Sequence, residues 1–382
     1  MGYLGENTPK LGFGLMRLPK LENDEIDIEQ VKQMVDLFME RGFTYFDTAR
    51  AYNGSEAAIK EALVDRYPRD SYTLATKNAA WIGASNAEEA QAYLATSLET
   101  AGVEYFDYYL LHNLGSTRTK FFDDFGMWEW AVQQREAGLI KHLGVSIHDK
   151  ADFVDRILTE HPEIEFVQLQ INWADWEDPV VQARQCYETC LRHNKPVIIM
   201  EPVKGGTLAN VPERVAEVLA KADPAQSPAQ WAIRFAASLP GVITVLSGMS
   251  SLEQAKENTT FMQNFQPLSD SEQAVVAEAR EKLAEVDLIP CTACEYCTKG
   301  CPQEIAIPRV LGALNRLKLY DEFDRAKGDY NFATRDHKAS ECIECMQCEA
   351  ACPQSINITE LLKEAVGLFE DPAEETEEAA AE

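Results

Sequence analysis

Residues 28–52 read IEQVKQMVDLFMERGFTYFDTARAY. The first part, IEQVKQMVDLFMERG, spaces its apolar residues three and four apart, and the second, FTYFDTA, is a short apolar run ending in polar residues. This pattern predicts one amphipathic helix that delivers the chain to one strand. The unit recurs on both sides. Further short apolar runs stand at LGFGLM, YTLATK, YFDYYLLH, HLGVSIH, FVQLQIN, PVIIME and VITVLSG, making eight with FTYFDTA. Helical periodicity appears between them in EEAQAYLATSLETAG, WEWAVQQREAG and SPAQWAIRFAASL. Strands alternating with helices imply parallel strand–helix–strand units, and eight strands are the number a closed barrel needs. No G-x-G-x-x-G follows a strand, which disfavours the open dinucleotide-binding sheet. The expected fold class is therefore α/β, a (β/α)8 TIM barrel with its active site at the C-terminal strand ends.

The alternation stops near residue 268, where LSDSEQ opens a helix that Ser269 or Ser271 can cap. The sequence predicts three regions: a barrel over 1–268, a linker helix with a small, mainly helical ferredoxin-like domain over 269–368, and a disordered acidic tail over 369–382. The middle region carries C-x2-C-x2-C-x3-C-P twice, as Cys291, Cys294, Cys297, Cys301, Pro302 and as Cys342, Cys345, Cys348, Cys352, Pro353. Such a run ligates a [4Fe–4S] cluster with three nearby thiolates and lends its fourth cysteine to the other cluster. Two [4Fe–4S] clusters are thus expected. Zinc is the competing reading, but its all-cysteine sites commonly use two separated pairs. Cys186 and Cys190 lie four apart in VQARQCYETCLRHNK and read as core residues of a helix.

The chain has 382 residues and a formal net charge of −28, which argues against nucleic acid and anionic membrane partners. No apolar run approaches the roughly 20 residues of a membrane span. The opening MGYLGENTPKLGFG lacks a basic stretch followed by an apolar one, so a cytoplasmic, oxygen-poor setting is expected.

Polar residues stand where the strands should end. They are Asp47 and Tyr52 in FDTARAY, Lys77 in LATK, His112 in YLLH, Ser146 and His148 in GVSIH, and Gln168 in FVQLQIN. Singly, each has an ordinary structural explanation. Together on one rim they compose a proton donor for a carbonyl oxygen. Lys77 as ammonium would stabilise the Tyr52 phenolate and lower its pKa from about 10. Asp47 would hold Lys77 charged, and His112 would position or polarise the carbonyl. Trp81, Trp128 and Trp173 are placed by sequence near strand ends as pocket candidates.

The motifs GFGLMRLP, FDTARAY, ATK, YLLH, GVSIH, EPVKGG and LSGMSSLEQAKEN occur in the order found in aldo-keto reductases, and the chain resembles that family's iron–sulfur branch, which carries a C-terminal ferredoxin-type domain. The resemblance implies a catalytic tetrad of Asp47, Tyr52, Lys77 and His112, with hydride passing from NADP(H) or NAD(H) to a small carbonyl compound, or back from an alcohol. Ser146 and Gln168 match carboxamide-binding positions, and Met200 stands where an aromatic residue usually stacks. Lys204, Gly205 and Gly206 match a pyrophosphate segment. Gly248, Met249 and Gln254 occupy the places where many members bind a 2′-phosphate with positive charges, while Ser250, Ser251 and Asn258 fall at the adenosine end. The clusters have three readings: structural ties, relays of single electrons between a carrier protein and a flavin or substrate in the barrel, or parts of a non-catalytic electron-transfer module.

Overall fold

The structure is a computed structural model and describes residues 2–370. The expected acidic tail beyond residue 370 lies outside the described residues. The chain divides into two compact units. One comprises the chain up to Val203 together with Ala222–Ala277, and the other comprises Lys204–Lys221 with the chain from Glu278 onward.

The first unit is a closed barrel of eight parallel strands in sequence order: β1 Leu11–Gly14, β2 Tyr45–Asp47, β3 Thr73–Asn78, β4 Phe106–Leu114, β5 Ile140–Ile147, β6 Phe166–Gln170, β7 Val197–Met200 and β8 Val242–Ser247. All eight apolar runs become strands. Helices cover the barrel, so most strand residues are buried on both faces; in β4 all nine are. The Ile28–Glu40 helix shows how the sequence sets this up. Asp27 caps it by accepting from the Gln30 amide at 3.0 Å, and Val31, Met34, Val35 and Phe38 face inward with no exposure. In the barrel, Tyr45, Tyr108, Leu110, Phe166 and Ile198 form one apolar cluster. A methyl group at Gly144 of β5 would fall 2.4 Å from the Phe166 ring, so this strand needs a residue without Cβ to seat that aromatic.

The pairing of β4 with β5 is irregular at one place. Leu111 pairs with Val145 but Leu114 pairs with Ile147, so β4 carries one extra residue at His112–Asn113 opposite Ser146. Asn113 takes up the bulge with φ +59°, a left-handed conformation that asparagine tolerates better than most residues.

The second unit is mainly helical, as expected. Two short helices, Tyr296–Lys299 and Gln347–Ala351, lie within the cysteine runs and carry the third cysteine of each, and Ile307–Tyr320, Phe323–Ala333 and Ile358–Phe369 supply its core. The internal repeat persists in the backbone. Ala293, Glu295 and Glu304 have positive φ, and so do Glu344, Met346 and Ser355, each 51 residues after its counterpart. The Asp270–Ala284 helix opens on a reciprocal cap in which the Ser269 amide donates to Glu272 at 2.8 Å and the Glu272 amide donates to Ser269 Oγ at 3.4 Å.

Candidate functional site

Four of the strand-end residues converge. Lys77, at the end of β3, is wholly buried, and its Nζ donates to Asp47 Oδ2 at 2.5 Å, to the Thr48 carbonyl at 2.8 Å and to the Tyr52 hydroxyl at 3.3 Å. The loop bearing Tyr52 is pinned by a Thr48–Ser55 hydroxyl pair at 2.7 Å, and Ser55 donates onward to the Leu15 carbonyl at 3.0 Å. The His112 ring stands edge-on to Tyr52 with centroids 5.9 Å apart. Trp81 donates its indole N–H to the His112 carbonyl at 2.9 Å, and its ring centroid lies 6.0 Å from that of His112.

Burial sets the electrostatics here. It pushes the Lys77 ammonium down from its ordinary value, and Asp47 and then Glu56 oppose that by attraction. Burial likewise pushes the Asp47 carboxyl up, against the pull of Lys77. Each partner of this buried pair therefore depends on the other for its charge. Glu56, 3% exposed, was not singled out from sequence; it accepts from Thr76 Oγ1 at 2.8 Å and approaches Arg50 at 3.7 Å.

Ser146 and Gln168 pair across β5 and β6. Ser146 Oγ accepts the Asn113 amide at 2.7 Å, which ties the β4 bulge to β5 and leaves the hydroxyl proton available to an acceptor. Gln168 donates to Met200 Sδ at 3.5 Å, and its buried Oε1 has no hydrogen-bond partner among the described residues. An amide oxygen in that position suits the N–H2 of a carboxamide. His148, the other polar residue of GVSIH, is held down to about 3 by burial and by the nearby Arg118.

Arg118 is a second group that the sequence reading missed. It is 7% exposed, its guanidinium carbon lies 5.2 Å from the Trp81 ring centroid, and it reaches Asn113 Oδ1 at 3.5 Å. Arg17 is a third. It pairs with Glu201 at 3.0 Å, and its Nη1 lies 3.7 Å from where a Cβ on Gly248 would be. Gly248, Met249 and Gln254 supply no charge at the expected 2′-phosphate places, but the short helix after β1 brings the Arg17 guanidinium near Gly248.

The remaining candidates have mixed placements. Ser251 caps the Leu252–Met262 helix by accepting the Gln254 amide at 3.2 Å, and Gln254 Oε1 accepts the Ser250 amide at 2.8 Å. Asn258 donates to Ser247 at 3.1 Å, and Met249 is buried. Lys204, Gly205 and Gly206 belong to the second unit. There Gly205, at φ +63°, packs where a Cβ would lie 2.6 Å from the Thr292 carbonyl oxygen, so packing alone accounts for that glycine. Trp173 is fully buried. Trp128 is not a strand-end pocket residue: it lies in the Met127–Glu136 helix, stacks on His161 at 3.6 Å and donates to Asp123 at 2.8 Å. A tryptophan with that much apolar area is satisfied within the helical layer.

In the second unit, Cys301 shares a cavity lining with Cys342, Cys345 and Cys348. The Cys297 thiol is pushed up to about 12 by burial and then by Cys294, Cys291 and Cys352. The fourth cysteine of each run thus lies with the first three of the other. Among the described residues no group of three or more His, Cys, Asp or Glu is placed to hold a single ion. A cubane takes one thiolate at each of four corners, which the run-crossing set of cysteines can supply. Asn315 fixes the approach to the first loop by accepting the Ile289 amide and donating to the Ile289 carbonyl, both at 2.8 Å. Cys186 and Cys190 are core residues, 3% and 0% exposed.

Residues 10–281 match the aldo/keto reductase family, and residues 290–356 match a 4Fe-4S dicluster domain. An aldo-keto reductase of Mycolicibacterium vanbaalenii is 29% identical over 257 residues, covering 66% of this chain and 82% of that protein. Among solved structures, the holo form of an aldo-keto reductase from Bacillus halodurans superimposes with TM-score 0.58 at 22% identity, over 71% of this chain and 91% of that one. One from Klebsiella pneumoniae, solved in complex with NADPH, gives 0.56 at 21%, over 71% and 90%. At these identities the structural likeness speaks for the barrel fold alone. Among the described residues no helix is long and apolar enough to cross a membrane.

Proposed function

Because this chain belongs to the aldo/keto reductase family, an oxidoreductase family, and carries a 4Fe-4S ferredoxin-type domain, we propose that it reduces a small carbonyl compound, or oxidises the matching alcohol, at Tyr52. The observation that carries this reading is the reach of one buried ammonium, Lys77 Nζ, to both Asp47 and the Tyr52 hydroxyl. A bound nicotinamide supplies or receives the hydride, and NADP(H) and NAD(H) both remain candidates. Ser146 and the unpartnered Gln168 Oε1 would hold its carboxamide. Tyr52 gives its proton to the carbonyl oxygen as negative charge grows there, Lys77 stabilises the phenolate left behind, and Asp47 keeps Lys77 protonated despite burial. His112, edge-on to Tyr52, orients the carbonyl.

We propose two [4Fe–4S] clusters, one held by Cys291, Cys294, Cys297 and Cys352 and the other by Cys342, Cys345, Cys348 and Cys301. Each exchanges single electrons, whereas the barrel chemistry moves a pair.

Tyr52→Phe tests the barrel reading. In anaerobically purified protein, reduction of a simple aldehyde by NADPH or NADH should fall at least about 100-fold while iron content stays unchanged. An undiminished rate would exclude Tyr52 as the proton donor. Bleaching of the visible cluster absorption on adding either nucleotide would favour a relay from barrel to clusters; an unchanged spectrum during turnover would favour structural clusters.

A further inference from the structure

The second unit contains a cavity of about 740 Å3 whose lining includes Cys291. Its other walls come from the Ile307–Tyr320 and Phe323–Ala333 helices and from the turn that begins at Gly205. In a chain of net charge −28, three arginines meet here: Arg309 and Arg316 on the first helix and Arg325 on the second. Two carboxylates accompany them, Asp329 beside Arg316 and Glu322 3.3 Å from Arg325. Arg309 has no ion pair among the described residues; its guanidinium lies 5.9 Å from the Phe332 ring centroid. The lining thus holds a net positive charge and an aromatic edge.

Two glycines border open space. A Cβ at Gly206 or at Gly312 would meet nothing within 4 Å. Gly312 sits inside a helix, where glycine is disfavoured, and no neighbour requires it to be small. The space in front of it is room for something else. On the opposite side the Tyr320 hydroxyl donates to the Asn210 carbonyl at 3.0 Å, tying the Gly205–Asn210 turn to the first helix.

We propose that this cavity binds a phosphorylated flavin, with flavin mononucleotide as the matching form. The volume lies within the ~300–1,000 Å3 of organic-cofactor sites and exceeds what free phosphate needs. Guanidinium groups on adjoining helices suit a phosphate monoester. Tyr320 and Phe332 add aromatic side chains to the lining, which suits a planar ring. A cluster cysteine in the wall suits a ligand that passes single electrons. A dihydroflavin gives up two electrons and two protons in all, the electrons one at a time to acceptors of one electron each and the protons to water. The proposal stands apart from the Tyr52 chemistry, so either can fail alone.

The test is anaerobic titration of flavin mononucleotide into the full chain with its clusters in place, read by quenching of flavin fluorescence. Saturable binding of one flavin mononucleotide per chain is expected, with riboflavin at least tenfold weaker. Gly312→Leu, which extends a branched side chain from a position where a Cβ meets nothing within 4 Å, should abolish binding while iron content and far-ultraviolet circular dichroism stay unchanged. Arg309→Gln, at an exposed position, should weaken flavin mononucleotide about tenfold and leave riboflavin unaffected, which keeps the test decisive even where Gly312→Leu lowers iron content. Absence of saturable binding, equal binding of riboflavin, or undiminished binding by Gly312→Leu would each overturn the proposal.

Discussion

Lys77 Nζ lies 2.5 Å from Asp47 Oδ2 with neither residue more than 2% exposed, so each is the chief support of the other's charge. Lys77→Met leaves a carboxylate buried without its cation. Stability of the barrel should fall by about 3–5 kcal/mol and kcat by about 10²–10⁴-fold. Adding Asp47→Asn should recover most of the stability and none of the turnover. Denaturant unfolding beside aldehyde reduction separates the two effects, and a double variant that regained activity would show that Lys77 has no role in proton transfer.

The β4 bulge gives a second expectation. Ser146→Ala deprives the buried Asn113 amide of its acceptor at 2.7 Å, which costs about 1–3 kcal/mol, and loosens the segment that carries His112. Both KM for the nicotinamide and kcat should worsen. Asn113→Gly keeps the amide donor and accepts φ +59° without strain, so its kinetics should stay near those of the natural sequence. Asn113→Val places a β-branched residue there and should lose about 1–2 kcal/mol. Equal behaviour of the glycine and valine variants would show that the bulge does not position His112.

Pairing across the cysteine runs is testable by combination. Cys301→Ala with Cys345→Ala removes two thiolates from one proposed cluster and should leave about half of the iron, in line with the cross-run ligation pattern. Cys301→Ala with Cys294→Ala strikes both clusters and should leave much less. Iron analysis and low-temperature electron paramagnetic resonance read the outcome. The opposite ranking would mean that each run serves only its own cluster.

Acid should loosen the barrel through Glu165. Burial raises its pKa, but hydrogen bonds from His142, the Leu143 amide and Arg135 outweigh that and hold the carboxyl at about 2, below its ordinary 4.5. A depressed carboxyl stabilises the fold above its unfolded pKa and loses that contribution as pH falls toward the folded one. Stability should therefore decline between about pH 4.5 and 2, and Glu165→Gln should flatten that decline. Parallel pH profiles for the two proteins would assign the acid sensitivity to other groups.

Much of this architecture was legible because it is written in local patterns. Eight apolar runs of strand length report the barrel; Asp47, Lys77 and His112 sit at or within two residues of a strand end, and Tyr52 stands in the loop that leaves β2. What could not be read depends on pairing between distant segments. The bulge at His112–Asn113 exists only as a register difference between β4 and β5. Glu56 and Arg17 enter the site from short helices and Arg118 from the turn after β4, and nothing in their own segments marks them. Gly205 reads as a pyrophosphate-segment glycine from its residue type; the packing that also calls for glycine there comes from Thr292, which is remote in sequence. Tryptophan near a strand end was an ambiguous signal for the same reason: Trp81 meets His112, whereas Trp128 meets His161.

The segment Lys204–Lys221 packs with residues that come after the barrel in sequence: Gly205 against Thr292, Asn210 with Tyr320 and Arg214 with Glu285. Asn210 and Tyr320 are 110 positions apart, so on a ribosome adding ~5–20 residues per second the earlier partner waits roughly 5–20 s for the later one. A gene truncated after residue 281 would encode a barrel sequence with this stretch permanently orphaned. The ferredoxin-type half is therefore interleaved with its host. A substitution at Gly205, Asn210 or Arg214 therefore acts on the ferredoxin-type unit although it falls within the stretch that matches the barrel family.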